Sequence, residues 1–214
     1  MKNCKLFILA QGKDTKWKPT ESLPKYKFQL LVGEDTILDR NIKLFRELNP
    51  IAIIHPDYPH NVPATYYSYK SPGMLLHGIV STKNNDLGWN ANRIIILFGD
   101  VVFSRYAVST ILEDTALLSL YGRRGENFIT GKLQSEIFGL SVYRDLQPDV
   151  GTALYWLWRA AVTYGYASNL WSLYYYIKNE QILKEFGDYT DDIDSVDEYN
   201  SFGEYLFDAV ERDK

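Results

Sequence analysis

Hydrophobic and polar positions divide the chain into short apolar runs separated by helical patterns. Lys5-Leu-Phe-Ile-Leu-Ala10 is continuous, as expected of a strand buried on both faces of a parallel sheet. A polar, lysine-rich stretch with Gly12, Pro19 and Pro24 then predicts a long loop. From Thr36 to Glu47 the apolar residues Ile37, Leu38, Ile42, Leu44 and Phe45 fall near helical spacing, and Asn49-Pro50 closes that helix. Ile51 to Ile54 and Ala64 to Tyr69 predict two further strands, and Pro72 to Ser81 a helix with proline in its first turn. Arg93 to Phe98 is the clearest strand, ending in Gly99-Asp100. Tyr106 to Leu112 reads as helix, Ala116 to Tyr121 and Glu136 to Tyr143 as strands, and Thr152 to Tyr164 and Leu170 to Leu183 as two aromatic helices. Ser195-Val-Asp-Glu198 matches a capping box opening a last helix through Tyr199, Phe202, Tyr205, Leu206 and Val210.

Strands and helices alternating in this order predict a three-layer α/β/α fold with a mostly parallel, Rossmann-like sheet. A length of 214 residues suits a single domain over 1–214. Seventeen tyrosines and five tryptophans promise broad packed faces with polar tips. The net charge of −4 supplies no basic field, so nucleic acid is not an expected partner. Cys4 alone excludes an internal disulfide framework and points to a reducing, cytoplasmic setting. The apolar run at the start is too short for a signal-peptide core. Gly151 to Ile177 carries one charge, Arg159, whose burial mid-bilayer would cost roughly 2.5–3.5 kcal/mol, so it reads as two buried helices rather than a membrane span.

Three segments could carry chemistry. The loop after the first strand, Ala10-Gln11-Gly12-Lys13, begins where open α/β folds place their ligands, and Gly12 allows backbone N–H groups close to phosphate. Lys13, Lys16, Lys18, Lys25 and Lys27 make a local positive excess that suits a triphosphate, or equally a solvated loop. Asp100 follows the strongest strand, with Gly99 leaving room for a nucleotide; carboxylates there suit Mg²⁺, or an ordinary turn. Asp192 and Asp194 alternate in Asp191-Asp-Ile-Asp194 and face one way in extended backbone, while the plainer use is favourable charge at a helix N-terminus. His55 and His60 lie in a proline-rich loop, and His77 mid-helix; all three read as structural. There is no Walker loop, G-x-G-x-x-G fingerprint or G-x-S-x-G elbow.

Taken in order, these segments resemble the GT-A-like nucleotidyltransferases, which include sugar-phosphate nucleotidyltransferases and the molybdenum cofactor guanylyltransferase. Ala10-Gln11-Gly12-Lys13-Asp14-Thr15-Lys16, Pro24-Lys25 and Gly33 to Arg40 are similar to the family's opening motif and first helix. Leu97-Phe-Gly-Asp100 resembles its metal-binding strand end, and Asp192-Ile-Asp-Ser-Val-Asp-Glu-Tyr199 its closing acidic motif. The resemblance implies an Mg²⁺-dependent enzyme that takes an NTP and a small phosphorylated acceptor, with a sugar phosphate the leading candidate, and releases pyrophosphate. It implies Asp100, Asp192 and Asp194 as metal ligands, Lys25 and Lys16 as phosphate-binding catalytic lysines, and Ala10, Gln11, Gly12, Lys13 and Gly99 as the nucleotide lining. Asp14 stands in place of the second glycine, Lys16 in place of an arginine and Val196 in place of a proline. A GT-A glycosyltransferase and a catalytically silent nucleotide- or sugar-binding module are the competing readings. The aromatic segment Thr152 to Ile177 fits either an acceptor-pocket wall or a homodimer face, and both stay open.

Overall fold

The computed structural model describes residues 3–10, 17–54, 65–68, 79, 89–126, 131, 133–165 and 169–203. A seven-stranded sheet forms the middle layer. Its order is β10 (Leu183–Glu185), β8 (Leu118–Arg123), β9 (Glu136–Tyr143), β6 (Arg93–Phe98), β1 (Cys4–Ala10), β4 (Ile51–Ile54) and β5 (Thr65–Ser68). Pairing is parallel from β6 through β1 and β4 to β5, and again between β10 and β8. Among the described strands of this sheet, only β9 runs against its neighbours.

Period-two alternation along the central strands sends side chains to two cores. Leu6, Ile8 and Ala10 of β1 and Ile95 and Leu97 of β6 point to one face. There they meet Leu38 and Ile42 of α1 (Ile37–Leu44) and Ala107 and Ile111 of α2 (Arg105–Glu113). Phe7, Leu9, Ile94 and Ile96 point to the other face. Leu154 of α3 (Gln147–Tyr164) and Leu170 and Leu173 of α4 (Leu170–Ile177) cover them. The three-layer α/β/α arrangement is therefore the one the alternation predicts.

Side-chain caps open both helices on the first face. Thr36 Oγ1 accepts from Asp39 N at 3.1 Å to open α1, and Ser104 Oγ accepts from Ala107 N at 2.9 Å to open α2. One helix is shorter than its apolar pattern. Lys178 takes a left-handed φ of 54° that ends α4 at Ile177, and Leu183 belongs to β10. Residues 178–182 are a turn between helix and strand, so the period reading merged two elements. Most of the helix expected from Pro72 to Ser81 lies outside the described residues, as do His55, His60 and His77.

Beyond the sheet's carboxyl edge, β7 (Val101–Val102) pairs antiparallel with β11 (Asp191–Asp192), aligning Asp192 with Val101 and Asp191 with Val102. A third apolar cluster lies beneath this ribbon. Trp17, Leu30, Val32 and Ile37 from the first quarter of the chain pack there with Val102, Tyr189, Ile193 and Phe202. Among the described residues, no helix is long and apolar enough to cross a membrane.

Candidate active site

The β7–β11 ribbon brings acidic residues from distant parts of the chain to one point. Asp100 sits in the turn between β6 and β7, and Asp192 lies on the strand opposite. Asp194 follows two residues later. Its backbone N–H donates to Glu198 Oε2 at 2.8 Å, while Ser195 Oγ accepts from Glu198 N at 3.2 Å. The capping box thus has both arms, but the reciprocal arm reaches Asp194 rather than Ser195, and so fixes an acidic residue of the cluster. Residues 196–203 are helical beyond it.

Lys27 lies at the centre. Its ammonium is 3.0 Å from Asp100 Oδ2, 3.0 Å from Asp194 Oδ1 and 3.8 Å from Asp192 Oδ2, with the side chain 6% exposed. The lysine reaches this place because Tyr26 and Phe28 on either side are buried, stacked 5.4 Å apart, and pin the short helical turn Lys27–Gln29. A buried ammonium needs this degree of neutralisation, since an unpaired ion in such a position is strongly disfavoured. Lys25, by contrast, is exposed, with its ammonium 5.2 Å from the centre of the Tyr26 ring. The structure brings Lys27, not Lys25, against the carboxylates.

A fourth carboxylate, Glu136, opens β9. Glu136, Asp192 and Asp194 each offer an oxygen within 4.8 Å of the others, a separation a single cation could bridge. Gln134 Nε2 donates to Glu136 Oε1 and, at 3.2 Å, to Asp194 Oδ2. Behind this group Arg123 pairs with Asp191 at 2.8 Å and with Glu136 at 3.5 Å. The bulge at Tyr121/Gly122 sets Arg123 directly opposite Glu136. Gly122 is required there, because a Cβ would lie 2.2 Å from the Glu136 carbonyl oxygen.

Electrostatics follow from crowding. Burial, reinforced by Glu136 and Asp194, raises the Asp192 carboxyl well above the ordinary carboxylate range although Lys27 opposes the shift. Burial likewise pushes Asp191 up to about 7, against the pull of Arg123. The cluster is therefore short of positive charge. All-oxygen carboxylate donors with one cation already among them fit a hard divalent ion such as Mg²⁺.

Other contacts hold the site from behind. Arg40 Nη1 donates to Phe103 O at 2.6 Å and Asn41 Nδ2 to Val101 O at 2.8 Å, fastening α1 to β7 just past Asp100. Ser104 N donates to Thr190 Oγ1 at 3.0 Å, and Ser104 Oγ to Asp188 Oδ2. Gly99 N donates to Leu9 O at 2.8 Å, and a Cβ on Gly99 would lie 2.8 Å from that of Ala10. The ends of β1 and β6 therefore touch, and Ala10 and Gly99 stand side by side at the sheet's carboxyl edge. Gln11, Gly12, Lys13 and Lys16 lie outside the described residues.

A parallel core with β9 inverted, a Gly-Asp strand end and a late acidic strand returning to it is a distinctive combination. Solved structures superpose on the fold along nearly their whole length. A Bacillus anthracis protein assigned as a glucose-1-phosphate thymidylyltransferase superposes with a TM-score of 0.65 at 13% identity, covering 96% of this chain and 96% of that one. This is the nucleotidyltransferase fold. CTP:phosphocholine cytidylyltransferase from Streptococcus pneumoniae matches with a TM-score of 0.59 at 16% identity over 95% of this chain and 99% of that one. The 2-C-methyl-D-erythritol 4-phosphate cytidylyltransferase from Thermus thermophilus matches at 0.65 and 10% identity, over 96% and 99%. No family model matches the sequence, and no curated protein does. At such identities the likeness is one of fold.

Sequence reasoning missed Glu136, Gln134 and the role of Arg123. It counted Lys27 only as one lysine in a basic window. Glu136 carries no motif; the one signal was a charge at the very start of an otherwise apolar strand. For Lys27 the signal was available, because it sits between two aromatic residues that had to be buried.

Proposed function

We propose that this chain is an Mg²⁺-dependent nucleotidyltransferase that moves a nucleoside monophosphate from an NTP to a small phosphorylated acceptor, such as a sugar phosphate. An acceptor phosphate oxygen attacks the α-phosphorus, a new P–O–P linkage forms, the α–β bond breaks and pyrophosphate leaves with the electron pair. The observation carrying this reading is the gathering of Asp100, Asp192, Asp194 and Glu136 around Lys27 at the carboxyl edge of the sheet.

Asp100, Asp192 and Asp194 would hold the ion, with Glu136 beside them. When bound, Mg²⁺ there neutralises charge on the nucleotide phosphates. The protein's own work is positioning and electrostatics. Ala10 and Gly99, packed together, leave a low rim over which a nucleotide can lie. Backbone N–H groups of Gln11, Gly12 and Lys13, with the ammonium of Lys16, suit the triphosphate. Lys27 places a water-shielded positive charge next to the reacting phosphates, and Lys25 from the same segment is exposed to meet the outer ones. Arg40 and Asn41 fix Asp100 by holding the backbone after it.

A glycosyltransferase of related fold would carry D-x-D at the metal strand. Here the corresponding position is Val102, fully buried in the third core cluster, and the second acidic group comes instead from β11 across the ribbon. That arrangement favours nucleotidyl transfer.

The direct test is pyrophosphate release from an NTP panel with Mg²⁺ and candidate phosphorylated acceptors. Release is expected with wild-type protein and not with Asp100→Ala. NTP binding without release points to a silent module, and turnover of an NDP-sugar to a glycosyltransferase; either outcome rejects the proposal.

A further inference from the structure

Helix α3 turns one side to the sheet, where Val150 and Leu154 enter the second core. The outward side of such a helix is ordinarily polar. Here it carries Tyr155, Trp156, Val162 and Tyr164, exposed by 39%, 64%, 53% and 71%. Covering what they still show would take roughly 400 Å² out of water, at about 150–250 Å² for each whole aromatic side chain. An exposed apolar patch of that size is often functional.

The charges on this helix say what covers the patch. Within α3 the charged side chains are Asp149 and Arg159, and both are exposed. Neither makes an ion pair or a side-chain hydrogen bond among the described residues. Ten residues of helix separate them by about 15 Å along the axis, too far to meet within one chain. Two copies of α3 laid antiparallel about a twofold axis near residue 154 bring each Asp149 opposite the partner's Arg159, because both positions are equally distant from that centre. The same register sets Trp156 opposite Thr152, an exposed position whose small side chain leaves room for a large one. A lipid surface fits less well. Helices that lie on membranes line their polar side with Lys and Arg, whereas α3 carries one arginine against one aspartate and the whole chain a net charge of −4.

We propose that this chain forms an isologous homodimer through α3, with the two helices antiparallel, Trp156 seated over Thr152 and a pair of Asp149–Arg159 ion pairs closing the ends. The patch supplies about half of the roughly 800 Å² per partner that a standard interface takes, so the dimer is a reversible one that dissociates in the micromolar range. It makes no use of the acidic cluster and goes beyond the nucleotidyltransferase reading. Helix α3 covers the sheet face opposite α1, whose Arg40 and Asn41 fasten β7 beside Asp100.

Sedimentation velocity of the full chain, over a series of micromolar concentrations, reads the association directly. A concentration-dependent dimer is expected. Trp156→Ala should weaken it about tenfold, as for an aromatic anchor near the centre of an interface. Asp149→Arg sets like charges face to face at both ends and should also weaken it about tenfold, as should Arg159→Asp. The double variant Asp149→Arg/Arg159→Asp reverses both pairs and should return the affinity to within about threefold of wild type. That rescue separates a contact between copies from a general loss of helix stability, which two changes at exposed positions would deepen. A wild-type chain that stays monomeric throughout would overturn the proposal. So would a dimer indifferent to the single changes, or single losses that add in the double variant. Monomeric protein that binds phosphatidylcholine vesicles through Trp156 would assign the face to a lipid surface and overturn it as well. Pyrophosphate release should be the same in every variant, so failure of the enzyme reading leaves this test untouched.

Discussion

Replacing Lys27 with methionine tests the centre of the site, because it keeps the stem's volume and removes only the charge. Two carboxylate oxygens lie 3.0 Å from the ammonium and a third 3.8 Å away. At an effective dielectric of about 20, each close pair is worth roughly 5 kcal/mol before solvation is counted. Much of that offsets the cost of burying the ammonium, which methionine no longer incurs. The net effect of breaking such a group by removing one partner is about 3–5 kcal/mol. For a chain of this size, that lowers Tm by roughly 6–20 °C. Thermal melts followed by circular dichroism at pH 8 in EDTA measure it. The loss should shrink as pH falls, because the Asp192 carboxyl, raised by burial, then takes a proton and needs the ammonium less. Mg²⁺ should raise the variant's Tm by more than the wild type's, since no ammonium then competes for the same oxygens. A variant that melts within about 2 °C of wild type, a shift small enough to be one weak surface contact, would refute the reasoning.

Two further outcomes follow from geometry described above. A Cβ on Gly139 would lie 2.5 Å from Ile96 O and 2.7 Å from Leu97 Cδ2, so Gly139→Ala must part β6 from β9 and should lose about 1–3 kcal/mol by urea denaturation; an unchanged midpoint would contradict the packing. Asp191 makes stability pH-dependent in metal-free buffer. Between its ordinary value of 3.8 and about 7 the folded chain holds a proton that the unfolded chain has lost, so stability falls as pH rises through that window. Asp191→Asn, which cannot titrate, should flatten the slope of denaturation midpoint against pH, and an equal slope would assign the effect elsewhere.

Much of the fold could be read before any coordinates, and the reason is visible in β1 and β6. Their alternate residues enter two different cores, and only continuous apolar runs satisfy both. The β9 strand, Glu136 to Tyr143, was legible for the same reason, but its reversed direction was not, because burial pattern carries no sign of orientation. Ala116 to Tyr121 was displaced by two residues, since Gly122 and Arg123 look like a turn and a surface charge. Both are buried at the bulge, where Arg123 finds Asp191 and Glu136. Asp100, Asp192 and Asp194 stood out through their local motifs. Lys27, Glu136 and Gln134 have meaning only in three dimensions, being joined to those aspartates by contacts between residues more than thirty positions apart.

The pairing of Val101–Val102 with Asp191–Asp192 is only two residues long, yet the site's two halves meet through it. During synthesis, the sheet's β1, β4 and β6 can assemble while Asp100 still faces open water with no acidic partner from β11. The acidic cluster is thus completed late, after the scaffold beneath it has formed. The same order applies in reverse to damage: peeling away the returning segment would take the acidic cluster apart while the central sheet stayed folded, so a sample can look intact by secondary structure and have lost its candidate site.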